Sequence, residues 1–252
     1  MSDHIRIGVF MPNGAQFLDV ATVDVLGVMS KEYLSVVSDM MPAHVAAIAP
    51  RVTIYYITTP SMGSEIPLTS GAVLKATHAY TDGEVAPGKL DVVVVPGPDP
   101  ASVYEEGGLE WLRRQSETKG VDVLSVCTGL YVCASAGVAD GKTASGPRGM
   151  QDDLRKKFPK VKLVGEDQRW VRDGDFWSSG GVTNGNELMA AYARECGRWP
   201  QTVAEIGLRL TEVGDKAQFY GESQRVFVLG MAWNIVKAWF VSWGVAGKQK
   251  TG

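Results

Sequence analysis

The sequence has few of the residues that most often carry metal, redox or acid–base chemistry. Its 252 residues include 3 histidines and 3 cysteines. Cys127 and Cys133 are separated by a spacing that fits neither a CxxC redox pair nor a zinc site. Three cysteines in a chain of this length also indicate no disulfide framework. We therefore expect a reduced, cytoplasmic protein that holds no metal.

The sequence also lacks a strong excess of charge of one sign. It has 25 basic and 28 acidic residues, a net charge of −3, and no long basic run. It shows neither the basic patch nor the aromatic motif that marks many nucleic-acid-binding proteins. The opening segment is polar and runs directly into strand-like residues, unlike a signal peptide. These absences argue against nucleic acid as a partner and against secretion.

What the sequence does contain is an alternation of strand-like and helix-like segments. The strands predicted from apolar and β-branched runs are 5–10, 52–58, 91–95, 122–126, 161–164 and two around a turn at 172–175. The helices predicted are 19–29, 109–118, 130–136, 186–196, 202–213 and 226–243. The uninterrupted valine run at 92–95 is typical of a parallel strand buried on both faces. Alternation of this kind predicts an α/β fold, with a mostly parallel sheet and helices on both faces.

The end of the sequence differs in character from the rest. Residues 1–200 are predicted to form the α/β domain, and residues 201–252 a C-terminal helical extension. The segment 226–243 is almost wholly apolar and carries three tryptophans, so its apolar face is wider than a surface helix needs. Asn234 and Lys237 would be costly inside a bilayer. We expect the extension to pack on the α/β domain or at a dimer interface, with membrane contact the less favoured alternative.

One motif predicts chemistry: the buried strand 122–126 runs into Cys127, Thr128 and Gly129, and a helix follows. This is the cysteine form of a nucleophile elbow, a sharp turn that lifts the reactive side chain above the sheet. The helix N-terminus is expected to lower the pKa of the Cys127 thiol through partial positive charge and free amides. A buried structural cysteine is the alternative from spacing alone. Cys133 and Cys196 are expected to be of that structural kind.

Several motifs, in the same order, resemble the ThiJ/PfpI superfamily, which has a class I glutamine amidotransferase-like fold. They are Gln-Phe-Leu-Asp at 16–19, Pro-Gly at 96–97, Ser-Val-Cys-Thr-Gly at 125–129, Ala-Gly-Val-Ala-Asp-Gly-Lys at 136–142, Val-Arg-Asp-Gly at 171–174 and Ser-Gly-Gly-Val-Thr at 179–183. The first and third of these look most like the isonitrile hydratase branch, which adds water to an isonitrile to give an N-substituted formamide. The resemblance implies a flavodoxin-like sandwich, a homodimer, a small-molecule substrate and no cofactor.

The resemblance also implies roles for individual residues. Asp19 is expected to approach Cys127 and to act as its acid and base, with a pKa raised by burial and like charge. From the residues alone, a helix N-cap is the favoured role of Asp19. Thr128 and Gly97 are expected to offer backbone amides to a substrate, and Gly181 to let the backbone pass close to the Cys127 pocket.

Two departures from the family pattern bear on the chemistry. Relatives carry a histidine shortly after the elbow helix, but residues 143–148 contain none, so a Cys–His–acid triad is not expected. His78 is expected on a surface strand or turn. Pro98 stands where relatives have a second glycine and offers no N–H, which leaves the amides of Thr128 and of Gly97 or Asp99. Attack on an isonitrile carbon forms no oxyanion, so hydratase chemistry tolerates that loss.

Three functions therefore follow from the sequence. The first is a cofactor-independent, cysteine-dependent hydratase acting on an isonitrile. The second is a redox-responsive or chaperone-like protein in which Cys127 is oxidised. The third, glyoxalase-type activity on 2-oxoaldehydes, is weakened by the missing histidine. Arg148 and Trp170 are candidates to line a pocket, although surface and core positions are favoured for them.

Overall fold

The computed structural model describes residues 3–37 and 43–249, with side chains as far as residue 239 in the last helix. The strands in these ranges are β1 (His4–Phe10), β2 (Arg51–Thr58), β3 (Glu65–Pro67), β4 (Val73–Lys75), β5 (His78–Ala79), β6 (Val92–Val95), β7 (Asp122–Val126), β8 (Thr143–Ala144), β9 (Lys162–Leu163), β10 (Trp170–Asp173) and β11 (Phe176–Ser179). The helices are α1 (Phe17–Ala21), α2 (Asp24–Gly27), α3 (Lys31–Val36), α4 (Ala43–Ala47), α5 (Glu106–Glu117), α6 (Gly129–Ser135), α7 (Gln151–Lys157), α8 (Asn184–Glu195), α9 (Gln201–Thr211) and α10 (Gln224–Gln249).

Seven of these strands form one central sheet in the order β10-β11-β7-β6-β1-β2-β5. Only β10 and β11 pair antiparallel, and every other neighbouring pair in this sheet is parallel. The valine run forms β6 at the centre of the sheet, and all four valines are buried. The predicted α/β fold with a mostly parallel sheet is confirmed.

Helices cover both faces of this sheet, and two apolar clusters fill the space between the layers. Val92 and Val94 belong to one cluster, together with buried residues of α8 and α9. Val93 and Val95 belong to the other, together with buried residues of α5 and α6. Successive side chains of a strand point to opposite faces, so β6 contributes to both cores in turn. The sheet is thereby rigid where β6 and β7 end, which is where the site is built.

One predicted helix is divided in the structure. The sequence predicts a single helix over 19–29, but α1 ends at Ala21 and α2 begins at Asp24. The Thr22 hydroxyl donates a hydrogen bond to the Asp19 carbonyl at 2.7 Å. Such a local bond competes with the helical hydrogen-bond pattern, and the flanking β-branched residues favour helix weakly. The break keeps α1 as a single short turn that carries Asp19.

The predicted C-terminal extension divides into two parts. Helix α9 buries Val203, Ala204 and Leu208 in the same cluster as β1, so it belongs to the α/β domain. By contrast, every side chain from 228 to 239 on α10 is exposed. The first turn of α10 contacts the α/β domain, through Gln224 and Phe227, and an interface of the exposed part with another chain stays a prediction. Residues 250–252 of the extension lie outside the described residues.

Among the residues that the structure describes, no helix is both long enough and apolar enough to span a membrane.

We predict that the full chain is a homodimer and that a chain ending at Ser223 is a monomer. The reason is the apolar surface of α10, on which the side chains of Leu229, Trp233 and Ile235 are 60–69% exposed. An interface between two copies of the chain would bury this surface away from water. Light scattering at micromolar concentration measures both masses. The control is Val103→Ser, which removes an exposed apolar side chain elsewhere and should keep the dimer mass. A monomeric mass for the full chain would contradict the prediction.

Candidate active site

Cys127 lies on a sharp turn between β7 and α6. Its φ is 57°, in the left-handed region that non-glycine residues rarely occupy and that costs on the order of 1 kcal/mol. Its amide donates to the Ser179 carbonyl of β11 at 3.2 Å, which fixes the turn on the sheet. Gly129, the first residue of α6, packs so tightly that a Cβ would overlap the Val95 carbonyl oxygen. The sharp strand-to-helix turn predicted from the sequence is present, and a nucleophilic role for Cys127 stays a prediction.

We expect Gly129→Ala to destabilise the protein by about 1–3 kcal/mol, the usual cost of overpacking. The added methyl group would meet the backbone of β6, which is held between two parallel neighbours and cannot move aside. Chemical denaturation measures the loss. Gly83→Ala is the matched control, because a Cβ there meets no atom within 4 Å. Equal stability of the two variants would contradict this account of the elbow.

Asp19 is fully buried and lies beside Cys127. Its Oδ2 accepts a hydrogen bond from the Gly97 amide at 3.1 Å. Its carboxyl and the Cys127 thiol are close enough for each to shift the pKa of the other, and Asp19 Oδ1 is buried without a hydrogen-bond partner in the part of the chain that the structure describes. The side chain makes no capping hydrogen bond to α1, so the N-cap interpretation is wrong. The structure therefore brings together the two residues that the family resemblance paired.

Burial governs the acidity of both groups. It raises the pKa of Asp19 to about 7, although hydrogen bonds from Gly97 and Cys127 act in the opposite direction. Burial, followed by the charge of Asp19, raises the pKa of Cys127 to about 11. The amides of Val182 and Thr128 do act to lower the thiol pKa, but desolvation outweighs them. The expectation of a thiol pKa below its ordinary value is therefore wrong.

The two groups consequently share one proton over a wide pH range. Below about pH 7 both are protonated, and above about pH 11 neither is. Between these limits the pair carries one proton and one negative charge, and it titrates as a unit. In this singly protonated state the proton lies on the sulfur and Asp19 is the carboxylate, because the thiol has the higher pKa; transfer of the proton to Asp19 costs about 5 kcal/mol.

The backbone amides that were expected to bind a substrate contact protein groups in the structure. The Gly97 amide is occupied by Asp19, so it positions the carboxyl rather than a ligand. A Cβ on Gly97 would lie 2.6 Å from Asp19 Oδ2 and 2.9 Å from the Thr128 amide nitrogen, so glycine is required there. The Thr128 amide bonds towards the sulfur, and its hydroxyl donates to the Pro98 carbonyl at 2.6 Å. Pro98 thus contributes an acceptor where its N–H is missing.

The loop after β11 completes the surroundings of the sulfur. The Val182 amide acts on the Cys127 sulfur and lowers the pKa of the thiol, an effect that the sequence did not predict because it depends on the path of the loop. Gly181 lines the adjoining cleft, but a Cβ there would meet nothing within 4 Å. The close approach belongs to Gly180 instead, where a Cβ would lie 2.8 Å from the Tyr220 hydroxyl.

A cleft of about 570 Å³ opens over this loop. Tyr220 forms one wall, and its ring lies 4.0 Å from the guanidinium carbon of Arg148 and 4.3 Å from that of Arg169. Asn184 donates to the Tyr220 hydroxyl at 2.9 Å. Burial raises the pKa of Tyr220, although the charges of Arg148 and Arg169 act in the opposite direction. Tyr220 and Arg169 were not predicted as site residues, because both lie outside the sequence motifs.

Arg148 and Trp170, the two weaker candidates for lining a pocket, differ in their positions. Arg148 was expected at the surface or in the core, but it lines the cleft and is only 7% exposed. Trp170 stacks on Trp177 and packs against the core, as favoured.

The histidines take no part in the described cleft. His78 lies on β5, the edge strand of the sheet, and hydrogen bonds to Thr77. His4 hydrogen bonds to Thr53 at the start of β1, and His44 lies on α4. In residues 3–37 and 43–249, no group of three His, Cys, Asp or Glu side chains is placed to hold a metal ion.

Comparison of the sequence with known proteins gives a match to a family and a match to an individual protein. The model of the DJ-1/PfpI family matches residues 28–195. The isonitrile hydratase of Pseudomonas putida is 34% identical over 134 residues, which cover 52% of this chain and 55% of the relative. The chain thus matches about half the length of that relative.

Solved structures extend the likeness of fold. A ThiJ/PfpI family protein from Pseudomonas syringae has a TM-score of 0.68 and 18% identity, and the match covers 93% of this chain and 87% of that one. DJ-1beta of Drosophila melanogaster has a TM-score of 0.59 and 19% identity, over 84% of this chain and 99% of that one. An AraC family transcriptional regulator from Pseudomonas putida has a TM-score of 0.61 and 17% identity, over 82% and 99%. At these identities the likeness shows the fold alone.

Proposed function

Because the chain belongs to the DJ-1/PfpI family, we propose that it is a hydratase that converts an isonitrile to an N-substituted formamide without a cofactor. The observation that carries the proposal is the buried pair of Asp19 and Cys127, which holds one proton near neutral pH. The 34% identity to a protein named isonitrile hydratase supports the substrate class. The cleft volume, about 570 Å³, is in the range of small-molecule sites.

The first step joins the sulfur to the substrate. Asp19, as the carboxylate, takes the thiol proton while the sulfur attacks the terminal carbon of the isonitrile. The sulfur electron pair forms the S–C bond, and negative charge develops on that carbon. Asp19 then returns the proton to the same carbon, which gives a thioimidate, R–N=CH–S–Cys127. A carboxyl with a pKa of about 7 is suited to serve first as base and then as acid.

The second step adds water and releases the product. Water adds its oxygen to the thioimidate carbon, and protonation of the nitrogen gives R–NH–CH(OH)–S–Cys127. The C–S bond then breaks, the sulfur leaves with its electron pair, and the hydroxyl proton returns to the pair through Asp19. One water is consumed, one formamide is formed, and the starting state is restored. In the first step the charge develops on carbon, so the missing N–H of Pro98 costs little there.

The amides around the sulfur support this route. Thr128 and Val182 both direct backbone N–H groups at the Cys127 sulfur. These donors stabilise the thiolate that forms when Asp19 takes the proton and that forms again when the product leaves. The occupied amide of Gly97 keeps the Asp19 carboxyl in place during both transfers.

The direct test is formamide formation from a panel of alkyl, aryl and carboxylate-bearing isonitriles. We expect at least one to give its formamide, and the product made in isotopically labelled water should carry one labelled oxygen. Mass spectrometry measures both. The Cys127→Ala protein supplies the background. No formamide above that background from any member of the panel would contradict the proposal.

The redox alternative has less support from the site. Peroxide oxidises the thiolate, and a thiol pKa raised to about 11 leaves little thiolate at neutral pH. Mass spectrometry after mild peroxide treatment separates the two functions. Selective oxygen uptake at Cys127, with no hydration of any isonitrile, would favour the redox function.

A further inference from the structure

The cleft at the Gly181–Asn184 loop is lined by cations, in a chain whose net charge is −3. Arg148, Arg169 and Lys216 line it, together with the carboxylate of Glu222. Glu222 pairs with Arg148 at 3.2 Å. Among the described residues, no carboxylate pairs with the side chain of Arg169 or Lys216. The cleft therefore carries a local positive charge opposite in sign to the whole chain, which attracts anionic ligands.

Arg169 is held by stacking on a ring rather than by an ion pair. Its guanidinium lies on Tyr220, the ring that Arg148 also contacts. The Nε atoms of Arg148 and Arg169 are buried and have no hydrogen-bond partner among the described residues. A guanidinium presents its donors in a rigid fork that matches a carboxylate, and donors left unpaired in a buried place are costly. An anionic ligand would supply the missing acceptors.

The cations and the sulfur are connected by one short loop. The Val182 amide acts on the Cys127 thiol and lowers its pKa, whereas Gly181 and Asn184 on either side of Val182 line the cleft. Asn184 also bonds to Tyr220, whose ring contacts Arg169. A small molecule that follows this loop away from the sulfur would enter the cleft in which Arg169 and Lys216 lie.

We propose that the substrate carries a carboxylate at the end remote from its reactive carbon, and that Arg169 and Lys216 bind this carboxylate. The identity of the reactive end rests on the proposed function. The anionic subsite rests on the cleft alone, so the two can fail separately. The competing explanation is that the cations offset the negative charge of the Asp19–Cys127 pair, in which case neutral and anionic substrates depend on them equally.

The kinetic test compares two substrates of one length, β-isocyanopropionate and its neutral amide. In Arg169→Gln, the ratio of kcat/KM for the carboxylate to kcat/KM for the amide is expected to fall at least about tenfold, mainly through KM. Arg169→Lys should restore part of the ratio. The control is Arg113→Gln, which makes the same charge change on exposed α5 and should leave the ratio unchanged. An equal loss for both substrates would overturn the proposal.

A second test does not depend on hydratase activity. 5-Iodopentanoate and 5-iodopentanamide differ in charge only at the end remote from the reactive carbon, at the same separation from the sulfur as in β-isocyanopropionate. Each alkylates Cys127 as the S–C bond forms, iodide leaves and the thiol proton passes to solvent. Peptide mass spectrometry gives the two rates at Cys127. We expect Arg169→Gln to lower the carboxylate-to-amide rate ratio about tenfold, and Arg113→Gln to preserve it. An unchanged ratio in Arg169→Gln overturns the subsite. A lowered ratio, without hydration of any isonitrile, supports the subsite and refutes the proposed function.

Discussion

Cys127→Ala is expected to reduce formamide formation to the uncatalysed background, a loss of about 10⁴-fold or more. The sulfur forms the covalent bond to substrate in the proposed route, and no other nucleophile lies on the elbow. Alanine accepts the left-handed backbone as poorly as cysteine does, so the turn keeps the conformation it has at φ 57°. Activity and circular dichroism of the purified variant measure the two effects.

The matched control for this variant is Cys196→Ala. Cys196 is half-buried just after α8, away from the elbow, so its loss should leave turnover close to that of the wild type. Turnover near the wild-type value in Cys127→Ala would refute the nucleophilic role.

Asp19→Asn is expected to lower the rate by about 10²- to 10⁴-fold, because the amide can neither accept nor return the proton. The pH profile should change as well. In the wild type, activity rises through about pH 7 as Asp19 loses its proton, and it falls through about pH 11 as the pair loses its last one. The variant should lose the rise near pH 7. Persistence of that rise in Asp19→Asn would exclude Asp19 as its source.

The same variant is expected to be more stable than the wild type at pH 8. The folded-state pKa of Asp19, about 7, lies above its ordinary value of 3.8, so the folded state binds the proton more tightly than the unfolded chain. Stability from this group is present at low pH and is lost as pH rises towards 7. The neutral amide avoids that loss, a gain of up to about 4 kcal/mol at pH 8 and almost none near pH 4. Denaturation at both pH values checks the sign.

Sequence patterns predicted most of the sheet because its central strands are mostly apolar. The strands β6 and β7 have no competing pattern, and the predicted bounds of β7 agree with the structure. The break between α1 and α2 was missed because it depends on a single hydroxyl, that of Thr22. The exposure of α10 was missed for a different reason. An apolar sequence indicates that a segment favours burial, but it does not indicate which surface the segment packs against.

The site was predictable only in part. Cys127 was located by local spacing, whereas Asp19 was paired with it through the family resemblance. Tyr220 and Arg169 carry no local signal, because they reach the cleft through the path of the chain after β9 and α9. The sequence predicts amides beside the sulfur, but it does not predict how deeply the sulfur is buried. That burial decides whether the pKa of Cys127 is raised or lowered.

The start of α10 and the wall of the cleft share side-chain contacts. The Gln224 side chain donates to the Arg148 carbonyl at 2.9 Å, and the Phe227 ring lies 4.7 Å from the Arg148 guanidinium. A partner that binds α10 and shifts its first turn would thus change the affinity of the cleft for its ligand. Thermodynamic linkage then requires the ligand to change the affinity of α10 for that partner by the same factor.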